Sequence, residues 1–489
     1  MSQHDEEVRV MKKISIALLM SMLVMTSVNI TAHAEEEMPD RMYSIVTDRF
    51  YNFVSSNDEG LRGGDSAYPF GGDFKGIINN LEYIDELGLN TIHVSPIFSH
   101  DTDDYLGYAV VDYNVADSFG GSEDFTTLIE EAHARDLKIV IDFPLTIGQT
   151  FDGSYEFATT NEILTSDLQS EYYYTYGVEV IDMTDEDNIN YIREVLDNLV
   201  SEYAIDGVSF FVAQDGIDGT GFVPEGLTSY AITTQPDVEV SGFDHIATDE
   251  IRKDVAHSFH YFDNEIFEYP DDGAPLLLAD HWFSERFTYE AVELRAFPGT
   301  RVQQLSTYLL GYPGPIAYNY ATEIAQNGIT LETIHPQMNF WTDTEAYDYV
   351  KERAGIFSRF PKMFQGETET LLNEDGHYVV RYHTTDDEVD FILRINDSSQ
   401  TRGFNISTDE IGEGMMMSGV LTGEIARSNS DGNYITVLER ETSELFAVID
   451  NIGFNYWYLL ASVLIFGGFV VFLYVVAKRG PSNAARKLK

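Results

Sequence analysis

An α/β fold built on a parallel sheet is the fold class that three features of the sequence predict. From Met42 onward, short β-branched runs alternate with amphipathic helical segments, the mark of consecutive βαβ units. Beyond residue 371 the helical pattern gives way to short strands such as Tyr378–Tyr382 and Asp390–Ile395, separated by Asp-Gly and Asn-Asp-Ser turns, which reads as a C-terminal β-sandwich. From Trp457 to Ala477 the chain carries no charge for 21 residues, enough to cross a bilayer as one helix.

The elements follow in order. Met11-Lys12-Lys13 opens a basic start, Ile14 to Val28 is apolar, and Ala32-His33-Ala34 supplies a small-x-small cleavage pattern, so residues 1–34 read as a secretory signal. The acidic residues before Met11 fit no such signal, and Met11 is the expected initiator. The run Tyr43–Phe50 forms the first strand, residues 76–87 a helix, Thr91–Phe98 the second strand, residues 122–135 a helix and Lys138–Asp142 the third strand. Further runs stand at Val180–Met183, Asp206–Ala213, Tyr230–Gln235, Leu278–Phe287 and Tyr312–Glu323. Tyr456, Trp457 and Tyr458 flank the apolar run on one side, and Lys478 and Arg479 on the other. Arg486, Lys487 and Lys489 follow. An aromatic belt opposite a basic tail predicts a single-pass type I protein, with an extracellular ectodomain and residues 478–489 in the cytoplasm.

Composition narrows the partners. With 82 acidic against 29 basic residues the formal charge is −53, which repels nucleic acid and anionic lipid and excludes nucleic-acid binding. The absence of cysteine excludes disulfides and thiolate metal sites.

Several motifs, in order, resemble one family. The strand ending Asp48-Arg49-Phe50, the Gly71-Gly72-Asp73 turn before Gly76-Ile77, Ser95-Pro96-Ile97-Phe98, the Tyr105-Leu106-Gly107-Tyr108 loop with Asp112-Tyr113, and Tyr312-Pro313-Gly314-Pro315 with Glu323 are similar to motifs of the α-amylase superfamily, glycoside hydrolase family 13. The resemblance implies a (β/α)8 TIM barrel over residues 35–370. It also implies a short domain B-like insertion at 146–180 and a domain C-like β-sandwich over 371–450, followed by the transmembrane helix at 457–477.

The same resemblance allows each catalytic position to be checked. Retaining glycosidases need two carboxylates about 5–5.5 Å apart, one to attack and one to protonate the leaving oxygen. In such barrels the active groups stand at the C-terminal ends of the strands. Strand four of the family runs Asp-Gly-Phe-Arg-x-Asp; here Asp206-Gly207-Val208-Ser209-Phe210-Phe211 puts Ser209 in place of the Arg and Phe211 in place of the nucleophile. At strand three Asp142 persists while Thr146 and Ile147 replace the Asn-His pair. At strand five Thr234 or Gln235 stands for the general acid. At strand seven Asp280, Arg286 and Phe287 match, while His281, Trp282 and Phe283 replace Asn, His and the third carboxylate; a one-residue gap would restore His281 to the His position.

The site is therefore expected to be catalytically vacant, with Tyr108, Asp142 and His281 as residues that an open cleft would offer to a sugar. Phe211, Trp282 and Phe283 are expected to pack together and close it. The resemblance also implies a Ca²⁺ site at Asn52, Asn57, Asp58, Gly71 and Asp73, with Val54 in place of one expected Asn. The expected function is that of a membrane-anchored pseudo-glycosidase, a binding module for a polysaccharide or a membrane-protein partner. The alternative is an active α-glucan hydrolase or transglycosylase with relocated carboxylates, drawn from Asp215, Asp218, Asp280 and Glu285.

Overall fold

The structure is a computed structural model and describes residues 38–57, 66–270, 274–342, 345–384, 389–451 and 456–479. The expected signal at residues 1–34, Asp58 and the part of the expected cytoplasmic tail beyond Arg479 lie outside the described residues.

Seven parallel strands form the barrel wall. In chain order they are Arg41–Ile45, Thr91–Val94, Lys138–Asp142, Gly207–Val212, Thr228–Thr233, His245–Ala247 and Ile316–Asn319. The first pairs with both the second and the last, Met42 standing opposite Thr91 and Ala317. The seventh position of the eight is reduced to a bridge: Leu277 pairs with Ile316, and the Leu276 N–H donates to the Ile246 carbonyl. These bonds close the ring. Pro275 and the residues around this bridge leave little room for a full strand, since Pro supplies no N–H to a ladder.

The helices that clothe the wall start at side-chain caps. Asp73 accepts from the Gly76 N–H to start Phe74–Asn79, Asp185 caps Glu186–Glu202 and Thr248 caps Asp249–His260. The first helix expected from the sequence is two, Phe74–Asn79 and Leu81–Glu86, hinged at Asn80. The first expected strand is shorter than predicted, because Thr47–Phe50 winds into a helical turn with Asp48 and Arg49 buried inside. Among the described residues no α-helix follows strand four or strand five; a 3-10 turn at Gly219–Gly221 and loops take their place. That end of the wall is covered by aromatic residues instead, with Phe210 packed edge-on against Phe222.

The insertion after strand three holds a three-stranded sheet, formed by Thr146–Gly148, Val178–Ile181 and Thr159–Thr160, and the helix Asp167–Tyr176. The C-terminal domain is a six-stranded antiparallel sheet facing a two-stranded one, around a core of Val379, Ile392, Ile406, Met417, Tyr434 and Phe446. It is pinned to the barrel by Arg301, fully buried, which reaches Asp397 at 2.8 Å and Glu441 at 2.5 Å. A last helix, Tyr456–Arg479, follows; its stretch Leu459–Lys478 is long and apolar enough to cross a membrane and is buried nowhere in the structure.

Candidate active site

The C-terminal mouth of the barrel is built from strands three, four and five and the loop after the seventh position. Alternation along strand four turns Ser209 and Phe211 inward. Ser209 meets strand three: its hydroxyl donates to Asp142 Oδ1 at 2.7 Å, and Tyr108 donates to Asp142 Oδ2 at 2.6 Å. His93, on strand two, completes the chain, with Nε2 at 2.6 Å from Ser209 Oγ and Nδ1 at 2.9 Å from Ser44 Oγ. One assignment of protons satisfies every partner: Ser44 donates to Nδ1, the Nε2–H donates to Ser209, and Ser209 donates to Asp142. A carboxylate that accepts from two hydroxyls can be held without the missing arginine.

Above this network the aromatic residues meet. Phe211 lies 5.5 Å from Trp282 and 5.1 Å from Phe283, and Phe283 lies 5.1 Å from Tyr108. Trp282 stacks on the His93 ring at 4.7 Å. Tyr108, Asp142, Ser209, Phe211, His281, Trp282 and Phe283 are all buried, none more than 6 % exposed. Behind Phe211 there remains a cavity of about 10 Å³, roughly the space of a single water.

Thr234 and Gln235, expected at the position of the general acid, hold the insertion down. Thr234 donates to the Gln169 side chain and accepts from the Ser166 N–H at 3.0 Å. Gln235 donates to the Thr165 carbonyl at 2.9 Å. Ser166 caps the helix Asp167–Tyr176 and donates to the Phe283 carbonyl at 2.8 Å. That helix then lays Tyr172 and Tyr173 against the Phe283 ring, at 5.6 and 6.1 Å. Tyr172 also donates to Asp104, whose carboxylate gathers the N–H groups of Leu106, Gly107 and Ala109.

Tyr108, Asp142 and His281, the residues an open cleft would offer to a sugar, are buried in this packing. Tyr108 gives its hydroxyl to Asp142 and packs its ring against Phe283. His281 Nδ1 accepts from the Phe283 N–H at 3.0 Å, and its buried Nε2 has no partner. Burial, with Arg252 nearby, holds its pKa well below the ordinary histidine range. Sequence reasoning missed His93 and the helix Asp167–Tyr176. A lone histidine in a strand carries no pattern, and a helix of tyrosines in an insertion does not announce which face it covers.

The four relocated candidates do not converge on this network. Asp280 accepts from the Phe287 N–H at 2.8 Å and faces Arg286; Asp215 accepts from the Glu239 N–H; Asp218 caps the turn at Thr220; Glu285 lies 3.8 Å from Arg252. Each is engaged in a local turn or ion pair.

At the loop after strand one, Asp73 closes the chain itself. Its Oδ2 accepts from Phe53 and Val54, and its Oδ1 from Gly76. Asn52 donates to the Phe70 carbonyl and Gly71 to Asp48. Asn57 donates to the Ser118 carbonyl, and its buried Oδ1 has no hydrogen-bond partner. Asn57 and Gly71 line a cavity of about 400 Å³ together with Asp48, Asp103, Asp104 and Asp117. A spare amide oxygen beside carboxylates fits the oxygen donors that a calcium ion requires.

Comparison with known proteins agrees with the fold. The model of the α-amylase catalytic domain matches residues 44–207, and that of the α-amylase C-terminal domain matches residues 366–446. The chain belongs to the α-amylase family. The catalytic-domain match ends at the first residue of strand four, immediately before the residues that depart from the family pattern. The beta/alpha-amylase of Paenibacillus polymyxa is 22% identical over 452 residues, 82% of this chain and 37% of that protein. Alpha-amylase 2 of Schizosaccharomyces pombe is 29% identical over 213 residues, 36% of each chain. The chain thus spans little more than a third of the length of these curated relatives. Among solved structures, an Anoxybacillus α-amylase is 26% identical, with a TM-score of 0.72 over 85% of this chain and 99% of that one. The Geobacillus thermoleovorans α-amylase in complex with acarbose is 25% identical, with a TM-score of 0.71 over 84% and 98%.

Proposed function

We propose that this member of the α-amylase family is a membrane-anchored pseudo-glycosidase that serves as an extracellular binding module for a partner protein in the same membrane. One observation carries the reading: Phe211 and Phe283, and Thr234 with Gln235, the residues that the motif resemblance aligns with the three acids, pack on one another or bond to the insertion. Catalytic groups of this kind act as a unit and contribute factors of about 10⁴ to 10⁶ in rate. The closed mouth favours a protein partner over a polysaccharide, since a sugar chain needs a groove and the aromatic platform under it is covered. The apolar C-terminal helix supports the anchor, and the apolar segment before Glu35 supports export. The loop after strand one is proposed as a Ca²⁺ site on the strength of Asn57 Oδ1 and the acidic cavity beside it.

The test is an assay of the purified full chain on starch, maltooligosaccharides and α-glucosides, together with crosslinking in intact cells. The reading expects no turnover and one recurrent membrane-protein adduct. Turnover that a single Asp215 or Asp280 replacement abolishes would establish the rival reading, hydrolysis by relocated carboxylates. Retention on an insoluble glucan, with no adduct, would assign the polysaccharide instead.

A further inference from the structure

Between two helices that clothe the barrel wall, two histidines and a glutamate converge. His257 and His260 stand three apart in the last turn of the helix Asp249–His260, on one face of it. Glu290 comes from the neighbouring helix Phe287–Glu293. One ligating atom from each of the three lies within 4.8 Å of the other two. His260 is buried, with its ring stacked at 5.3 Å on Phe287, while His257 and Glu290 are exposed. His260 Nδ1 and Glu290 Oε2 stand 2.7 Å apart without hydrogen-bond alignment, and Nδ1 has no other hydrogen-bond partner.

We propose that His257, His260 and Glu290 form a binding site for a zinc-class divalent transition ion. Two imidazoles and a carboxylate are a donor set that Zn²⁺ accepts in tetrahedral geometry, with the fourth position left to water. Ligands about 2.0–2.1 Å from a common ion stand roughly 3.3 Å apart, so small rotations of exposed His257 and Glu290 bring the set to bonding distance. Burial holds the His260 pKa below the ordinary value, with His257 and Arg252 lowering it further against the pull of Glu290, so its lone pair is available for a metal near neutral pH. Calcium, which prefers six to eight oxygens, is a poor match for this set. The ion would staple the helix that follows strand six to the helix that follows the seventh position, where the barrel wall is reduced to the bridge at Leu277.

The experiment uses the full chain in detergent, stripped with chelator and returned to a buffer with excess Ca²⁺, so that oxygen-only sites are filled. Zn²⁺ is titrated by calorimetry, and Co²⁺ is titrated in parallel for its visible ligand-field bands. The expected result is one Zn²⁺ per chain, a tetrahedral Co²⁺ spectrum and a rise in Tm on zinc addition. His257→Ala and Glu290→Ala, both exposed positions, should each keep the metal-free Tm and weaken zinc about tenfold or more. Unchanged stoichiometry and affinity in the His257→Ala/Glu290→Ala double variant would overturn the proposal, as would an octahedral Co²⁺ spectrum. These readouts do not depend on whether the barrel mouth is catalytic.

Discussion

The Ser209 hydroxyl donates to Asp142 Oδ1 at 2.7 Å while its oxygen stands 2.6 Å from His93 Nε2, so a serine holds the carboxylate where the family pattern has an arginine. A serine is a small neutral partner for that carboxylate, and Trp282 stacks on the same histidine at 4.7 Å.

Ser209→Ala removes the central link. Asp142 keeps Tyr108 but loses its second donor, and the His93 N–H is left facing a methyl group in a dry site. Leaving buried polar groups without partners costs about 1–3 kcal/mol. Urea denaturation should show a lower midpoint with an unchanged m-value, and Ser209→Thr, which retains the hydroxyl, should recover part of the loss. A wild-type midpoint in Ser209→Ala would show that the network contributes nothing.

Restoring acids one at a time should not restore hydrolysis. Phe211→Asp places an unpaired carboxylate among Trp282, Phe283 and Tyr108, where an uncompensated charge costs about 3–5 kcal/mol. Thr234 and Gln235 would still be occupied by the insertion. Ser209→Arg/Phe211→Asp is therefore expected to lower Tm by several degrees and to remain inactive on maltooligosaccharides. Measurable turnover in that variant would mean that the site still holds a general acid. Phe283→Ala should cost about 3–5 kcal/mol, because it opens a cavity beneath Tyr172 and Tyr173.

The fold was legible because barrel strands have a strong local signal. The run Lys138–Asp142 and the strand-four segment through Val212 fall where β-branched and aromatic residues predict them. The motif alignment puts Phe211 where the family pattern has an acid, and the structure shows that residue buried in an aromatic cluster. What that phenylalanine touches could not be read. The partners come from the Asp167–Tyr176 helix and from His93, distant in sequence and bound by geometry that only the closed ring creates. The missing helices after strands four and five went unseen for a related reason: a barrel template supplies them by analogy, while the loops there satisfy the wall with Phe210, Phe222 and Phe243. The His257–His260 pair also carried too little sequence signal until Glu290 was placed beside it.

Acid should destabilise the C-terminal domain through His377. Arg394 Nη2 donates to His377 Nε2 at 3.0 Å, which requires the neutral ring. Burial, with Arg394 and Arg402 adding to it, pushes the His377 pKa down to about 4, against about 6.5 in an unfolded chain. Between those values the unfolded state binds a proton that the folded state does not, so stability rises with pH across the window. The contribution is fully present above about pH 6.5 and is lost as pH falls through about 4. The difference in unfolding free energy between wild type and His377→Gln, followed by denaturant titration at several pH values, should shift in favour of the variant as pH falls. A difference that stays constant with pH would place the proton elsewhere.

The last helix puts the proposed membrane attachment to the test. Leu459–Lys478 carries branched and aromatic side chains on every face, is exposed along its whole length, and is long and apolar enough to cross a membrane. On the proposed reading a bilayer would cover this surface, with the basic residues beyond Lys478 on its cytoplasmic side. Full-length protein should sediment with membranes, resist extraction by high salt and carbonate, and be released by detergent. A chain truncated after Asn451 retains the barrel and the C-terminal sheets, whose last strand ends at Asp450. It should appear in the soluble fraction with an unchanged Tm. Release of the full chain by salt alone would make the attachment peripheral, and a truncated chain that still sediments would put the membrane contact on the barrel.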